Sequence, residues 1–183
     1  LSVGSTFGLV GVVFAYVFNE AHFNMGVGPA IFACILLGTL IGLINGVLVT
    51  YLRVPAFIAT LTMLFIGRGF ILGLTGGQSI LYPIKAREYE WFFQLGETNA
   101  WGFNNQILIV AVVVAIGAVV LAKTRWGYET FATGGNEQAA IYAGIPTRWV
   151  RIRGYLLSSW CATIAGLMAV AQDKGTSPQT GLM

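Results

Sequence analysis

"PAIFACILLGTLIGLINGVLVT", from Pro29 to Thr50, contains no charged side chain. A helix rises ~1.5 Å per residue, so about 20 apolar residues cross the ~30 Å hydrocarbon core of a bilayer. The stretch is far longer than the roughly 4–8 residues of a buried strand and reads as a membrane-spanning helix. Within it, "GTLIGLING" places Gly38, Gly42 and Gly46 at four-residue spacing. Such a row lies along one helix face and lets a second backbone approach closely. Asn45, on the same span, needs a polar partner inside a bundle. The spacing recurs at Gly4 and Gly8 and at Gly69 and Gly73, so tight helix packing is expected throughout. Gly11, off the row, is expected to accept bulk more readily than Gly42.

Working outward, the whole chain is of the same kind. Of its 183 residues 56% are hydrophobic and only 9% charged, against roughly 25% charged in soluble domains. Mean hydropathy is +0.76. By the ~20-residue criterion there are about five spans: Leu1 to Phe18, Pro29 to Thr50, Ala56 to Leu74, Gln106 to Ala122 and Gly154 to Ala171. The fold class is an all-α, polytopic transmembrane helical bundle. In the first span "LSVGS" is polar, and its glycine and serines would permit a broken or re-entrant start. The chain opens inside an apolar run at Leu1 without the charged n-region of a signal peptide, and it stops at Met183 just after a loop. It reads as an internal piece, 1–183, of a single longer membrane domain.

Loop charges orient the spans, because Lys and Arg favour the cytoplasmic side. Arg53 lies between the second and third spans; Lys123, Arg125, Arg148, Arg151 and Arg153 lie between the fourth and fifth. Both links are therefore cytoplasmic. The loop Asn19 to Gly28 has no Lys or Arg, and loop Thr75 to Asn105 offsets Lys85 and Arg87 with Glu88, Glu90 and Glu97. One alternating topology satisfies every loop. The net charge of +3 thus reflects membrane topology rather than nucleic-acid binding. In the long outer loop, "REYEWFFQL" crowds Trp91, Phe92 and Phe93 beside acids. This suits an interfacial helix, or a docking surface for substrate.

Chemistry is sparse. The two cysteines, Cys34 and Cys161, sit singly in apolar runs and form no metal or redox pair. All seven acids fall in loops or at span ends, whereas ion-driven carriers place carboxylates at membrane depth. "GLTGGQS", Gly73 to Ser79, lacks the lysine and hydroxyl residue of a phosphate-binding loop. The chain therefore carries no ATP-hydrolysing site and is not read as an enzyme. If it pumps a solute, a partner must supply the energy. Polar candidates for a substrate path are Asn45, Thr60, Thr62 and Arg68. The arginine lies toward the outer end of its span, where it either snorkels or lines the path.

The polar interruption "ATGGNEQAAIYAGIPTRWVRIRGY", Ala132 to Tyr155, requires its own account. Asn136 is a favoured N-cap, and Glu137 in the first turn suits the helix dipole. Ala139, Ala140, Ile141 and Ala143 propagate a helix cheaply. Gly144 stands at C′ and Pro146 prevents continuation. The expected product is a cytoplasmic helix of about two turns, too short to be stable alone. Its side chains are mostly small. Spacing alone leaves two readings open: insertion into a groove on another protein, or a loop helix resting on the membrane.

"GGNEQAAIYAGI" resembles the cytoplasmic coupling segment of ABC importer permeases of the ribose/xylose class, in the branched-chain amino acid/sugar permease superfamily. "LSVGS", "GLINGVLVTYLRVPAFIATLTMLFIGRG" from Gly42 to Gly69, "TGGQSI" and "DKGTSPQTGLM" are similar to the same family, in order along nearly the whole chain. The resemblance implies a permease subunit of an ATP-driven monosaccharide importer, multi-pass in the bacterial inner membrane. It implies that the coupling residues are Gly134, Gly135, Asn136, Glu137, Ala139, Ala140, Gly144 and Ile145. It also implies three partners: a cytoplasmic ATPase that binds the ATP and Mg, a second permease copy, and a periplasmic sugar-binding protein. This chain would need no cofactor of its own, and lipid would surround it. The rival readings are a secondary transporter or channel and a non-transporting membrane scaffold subunit.

Single cysteines at Asn136 and Thr147 should label only from the cytoplasmic side, and one at Glu97 only from outside. Opposite labelling with an impermeant thiol reagent would reverse the orientation and remove the coupling assignment.

Overall fold

The computed structural model of the protein describes residues 2–18, 26–78, 80–81, 105–173 and 175–176. Among the described residues seven helices follow one another: α1 (Ser2–Phe18), α2 (Val27–Thr50), α3 (Ala56–Thr75), α4 (Asn105–Lys123), α5 (Arg125–Gly135), α6 (Glu137–Tyr142) and α7 (Thr147–Asp173). Two short strands, β1 (Ile80–Leu81) and β2 (Gly175–Thr176), pair antiparallel with Ile80 opposite Thr176. The aromatic segment 87–95, Glu97, and the acid and histidine at 20 and 22 lie outside the described residues. The fold is an all-α bundle.

Four helices, α2, α3, α4 and α7, are long and apolar enough to cross a membrane. The expected first span, α1, is apolar but has 17 residues, so the count of full-length spans is four among the described residues. Its start is not broken. Ser2 to Ser5 form an ordinary first turn, and the hydroxyls of Ser5 and Thr6 each donate to the Ser2 carbonyl at 2.9 Å. Hydroxyls bonded back to their own helix need no break in the backbone. The last span also begins earlier than expected, at Thr147 rather than Gly154. Arginine is a good helix former, and the basic run is carried on the first turns of α7.

Helix α1 is the hub. Val10, Val12, Phe14 and Ala15 are fully buried, and α2, α3 and α7 all pack against it. Toward the C-terminal end of α1, Val10, Phe14 and Phe18 meet Val27, Ala30 and Cys34 of α2 and Val170 and Ala171 of α7. Further in, Leu9 and Val12 meet Ile41 of α2 and Ile71 of α3. Phe32, Leu36 and Leu40 on α2 and Phe57, Phe65 and Phe70 on α3 are exposed, as befits helices bordered by lipid. Helix α4 buries no residue.

Glycine decides which helices touch most closely. A Cβ added at Gly38 would lie 2.1 Å from the Thr163 hydroxyl of α7; at Gly42, 3.0 Å from the Tyr155 carbonyl; at Gly46, 3.2 Å from Ile152 Cα. Across the same seam the Trp160 indole N–H donates to the Thr39 hydroxyl at 2.9 Å. Gly67 lets α3 close on Ser5, and Gly166 lets α7 close on the Phe7 carbonyl, each leaving 2.9 Å for an added Cβ. Gly69 and Gly73, by contrast, face open space. Gly11, expected to accept bulk more readily than Gly42, is itself buried in the central helix.

Gly42→Leu should lower stability in detergent by at least the ~1–3 kcal/mol typical of overpacking. Gly69→Leu, on the open face of α3, should change it by less than ~0.5 kcal/mol in the same thermal-unfolding assay.

Candidate functional site

The end of the bundle that carries the arginines of α7 is built by three helices in quick succession. Helix α4 ends at Lys123, and the chain reverses through Thr124, whose hydroxyl donates to the Val120 carbonyl at 2.6 Å. Gly127 is pressed against the end of α4: a Cβ there would stand 1.8 Å from the Leu121 carbonyl oxygen. No side chain fits. Helix α5 was not foreseen from the sequence, although Arg125 and Glu129, four apart, carry a helical signature.

Asn136 ends α5 and starts α6. Its backbone is extended, its N–H donates to the Ala132 carbonyl at 3.2 Å, and its Oδ1 accepts from the Ala139 N–H at 3.0 Å. Such a cap is worth about 1 kcal/mol. Helix α6 has six residues. It is closed by Gly144 N–H donating to Ile141 and Ile145 N–H donating to Ala140, both at 3.0 Å. Gly144 has φ 78°, the left-handed region where a β-branched residue is strained. Gly134 and Gly135 lie in the last turn of α5 with open space around them.

Charged pairs bind this unit to α7. Glu129, buried, forms an ion pair with Arg125, Nε to Oε1 at 3.2 Å, and accepts from Arg153 Nη1 at 3.3 Å. The Arg153 guanidinium also lies 4.9 Å from the Trp126 ring centroid. Glu137 pairs with Arg151. Arg148 stands over the Tyr51 ring at 5.7 Å, tying the base of α7 to the link between α2 and α3. Arg151 and Arg153 entered the sequence reading only as orienting charges, and Trp126 and Glu129 were not singled out, because the pairings with α7 join residues distant along the chain.

The outward face of α6 differs from expectation. Ala140 is buried, whereas Gln138, Ala139, Ile141 and Tyr142 are exposed, Tyr142 at 87%. The presented surface is therefore not made mostly of small side chains; it carries two large apolar ones beside Ala139. Thr147 is buried as well, so Asn136 is the better reporter of sidedness.

The four substrate-path candidates do not converge. Asn45 is buried on α2 and donates to the Ser2 hydroxyl at 3.3 Å; its Oδ1 has no partner among the described residues. On α3, Thr60 spends its hydroxyl on the Ala56 carbonyl at 2.8 Å, Thr62 is exposed, and Arg68 is half-buried. None of the four lines the groove of about 560 Å³ walled by α1, α2 and α3, where Ser5 is the sole hydroxyl among apolar side chains. That groove is too apolar for a sugar. A second cleft, about 380 Å³ between α4 and α7, ends on Glu129 and Arg153.

Comparison with known proteins then places the chain. Residues 1–183 match the family described as branched-chain amino acid transport system, permease component, and the chain belongs to that family. The autoinducer 2 import system permease protein LsrC of Escherichia coli is 36% identical over 99% of this chain, which covers 51% of that relative. The protein of the same name from Salmonella paratyphi B is also 36% identical, with 50% of its length covered. The chain thus spans about half the length of these curated relatives. No solved structure matches it. With four helices long and apolar enough to span, it is a multi-pass protein of the bacterial inner membrane.

Gly127→Ala should loosen the turn between α4 and α5, with faster hydrogen–deuterium exchange over residues 124–135 and a loss of about 1–3 kcal/mol. Gly135→Ala, where nothing stands in the way, should be neutral or stabilise by about 0.4–1 kcal/mol.

Proposed function

We propose that the chain is part of the permease subunit of an ATP-binding-cassette importer for a small sugar-class solute, with α6 as the element on which the ATPase acts. The observation that carries this reading is the short capped helix itself. Six residues are too few for an independent helix, yet α6 is capped by Asn136, stopped by Gly144 and fastened to α7 through Glu137 and Arg151. Its exposed side, Gln138, Ala139, Ile141 and Tyr142, points away from the bundle. Membership of a permease family supports the same role.

ATP and Mg would be bound by a separate cytoplasmic ATPase, a second permease copy would complete the pathway, and a periplasmic binding protein would deliver the cargo. The similarity to proteins named for autoinducer 2 import makes that molecule the first cargo to compare with ribose and xylose. Ion-driven transport finds no support in the described spans: Glu129, the buried acid, lies in α5 and is held by two arginines.

Ala139→Trp places bulk on the exposed side of α6 and leaves the spans untouched. In the full importer, reconstituted with its ATPase and binding protein, uptake should fall at least tenfold and cargo-stimulated ATP hydrolysis should be lost. Leu108→Ala, exposed on α4, should leave both rates unchanged. Normal uptake by Ala139→Trp, or uptake that survives ATP depletion, would favour a secondary transporter or channel. A full-length protein that purifies without an ATPase would favour a scaffold.

A further inference from the structure

Helix α6 hangs between two joints. On one side Asn136 is extended; on the other Gly144 is left-handed and is followed by Ile145 and Pro146. With only Ala140 buried, a push on α6 would be absorbed by rotation at these joints unless something braced it. The braces converge on one turn of α7. Arg151 holds Glu137 of α6, and Arg153 holds Glu129 of α5 while lying against Trp126. Between them Ile152 is buried and abuts α2, its Cα 3.2 Å from where a Cβ on Gly46 would sit.

Successive helical residues are about 100° apart, so Arg151 and Arg153 flank Ile152 on opposite sides. The turn that leans on α2 is therefore gripped left and right by the two cytoplasmic helices. Glu129 is buried while Arg153 is partly exposed, and a buried carboxylate is costlier to leave unpaired than an exposed one, which makes the grip of α5 the firmer one. The grip of α6, half-exposed on both partners, is the weaker.

We propose that Arg151 and Arg153 are positioning residues that make α5, α6 and the base of α7 one lever, with the turn Arg151–Ile152–Arg153 as the node that passes displacement of α6 to α2. The proposal rests on α6 being the ATPase-facing element. Without the braces α6 would swivel, and hydrolysis would continue without moving the spans.

The test uses the full importer in liposomes and reads cargo taken up per ATP hydrolysed, together with complex assembly. In a Cys34→Ala, Cys161→Ala background, Glu137→Cys with Arg151→Cys removes the brace, and a short bis-methanethiosulfonate spacer, which loses a methanesulfinate as each thiolate forms its disulfide, restores it covalently and reducibly. The unbridged protein should assemble but take up roughly fivefold less cargo per ATP, the upper end for an exposed ion pair. Bridging should restore the ratio, and reduction should lose it again. Arg153→Lys, which keeps the charge and loses the planar fork, should lower the ratio in the same direction.

A wild-type ratio in the unbridged protein would overturn the proposal, and so would a bridge that blocks uptake. Ala139→Trp, run in parallel, separates the two levels. If it uncouples while the unbridged pair does not, the brace alone fails. If it transports normally, the docking role of α6 fails and the brace goes with it.

Discussion

Gly38, Gly42 and Gly46 leave a strip of bare backbone along α2, and α7 lies in that strip. Surrounding lipid is as apolar as leucine, so no hydrophobic force drives one span onto another; close van der Waals packing must do it. Contacts of that kind need backbones near each other, which a Cβ at Gly42 would prevent, since it would stand 3.0 Å from the Tyr155 carbonyl. Everything else is arranged around the seam. Helix α1 sits behind it and fills the interior with Val10, Val12 and Phe14, and α3 closes on α1 at Gly67.

The seam also gives the cytoplasmic helices something to act on. Helix α7 starts inside the basic run, so its first turns carry Arg148, Arg151 and Arg153 before the first apolar residues of the span proper. Those arginines reach three separate elements: the Tyr51 ring, Glu137 of α6 and Glu129 of α5. Between Arg151 and Arg153, Ile152 packs on α2 at Gly46. The positive charge expected to orient the protein in the membrane thus also joins Tyr51, α6 and α5 to the base of α7. One set of side chains meets two physical demands.

Polar groups within the spans are few and largely spent locally. Thr39, Thr60, Thr75 and Thr163 each donate to a carbonyl in the preceding turn of their own helix. Such bonds satisfy a hydroxyl in an apolar surrounding without a partner from another helix. Asn45 is different, because an amide has more bonding groups than its own helix can satisfy. Its contact with Ser2 binds α2 to α1, and its Oδ1 is left over.

Much could be read along the chain, because a bilayer makes fold class a matter of run length and charge. The long uncharged stretches marked spans, and Asn136, Gly144 and Pro146 outlined α6, since capping acts between residues a few positions apart. The glycine row told of a close neighbour but not which one; only packing shows that α7 fills it. Interactions between residues far apart in sequence leave no periodic trace. The pairing of Glu129 with Arg153 and of Glu137 with Arg151 is therefore decided by how α5 and α6 fold back on α7. The same holds for Ala140, which local propensity presents as a free surface residue and tertiary contact turns inward. Nor could composition say that α1, with 17 residues, would be the most enclosed helix. Burial depends on what surrounds a segment, and no property of the segment itself records that.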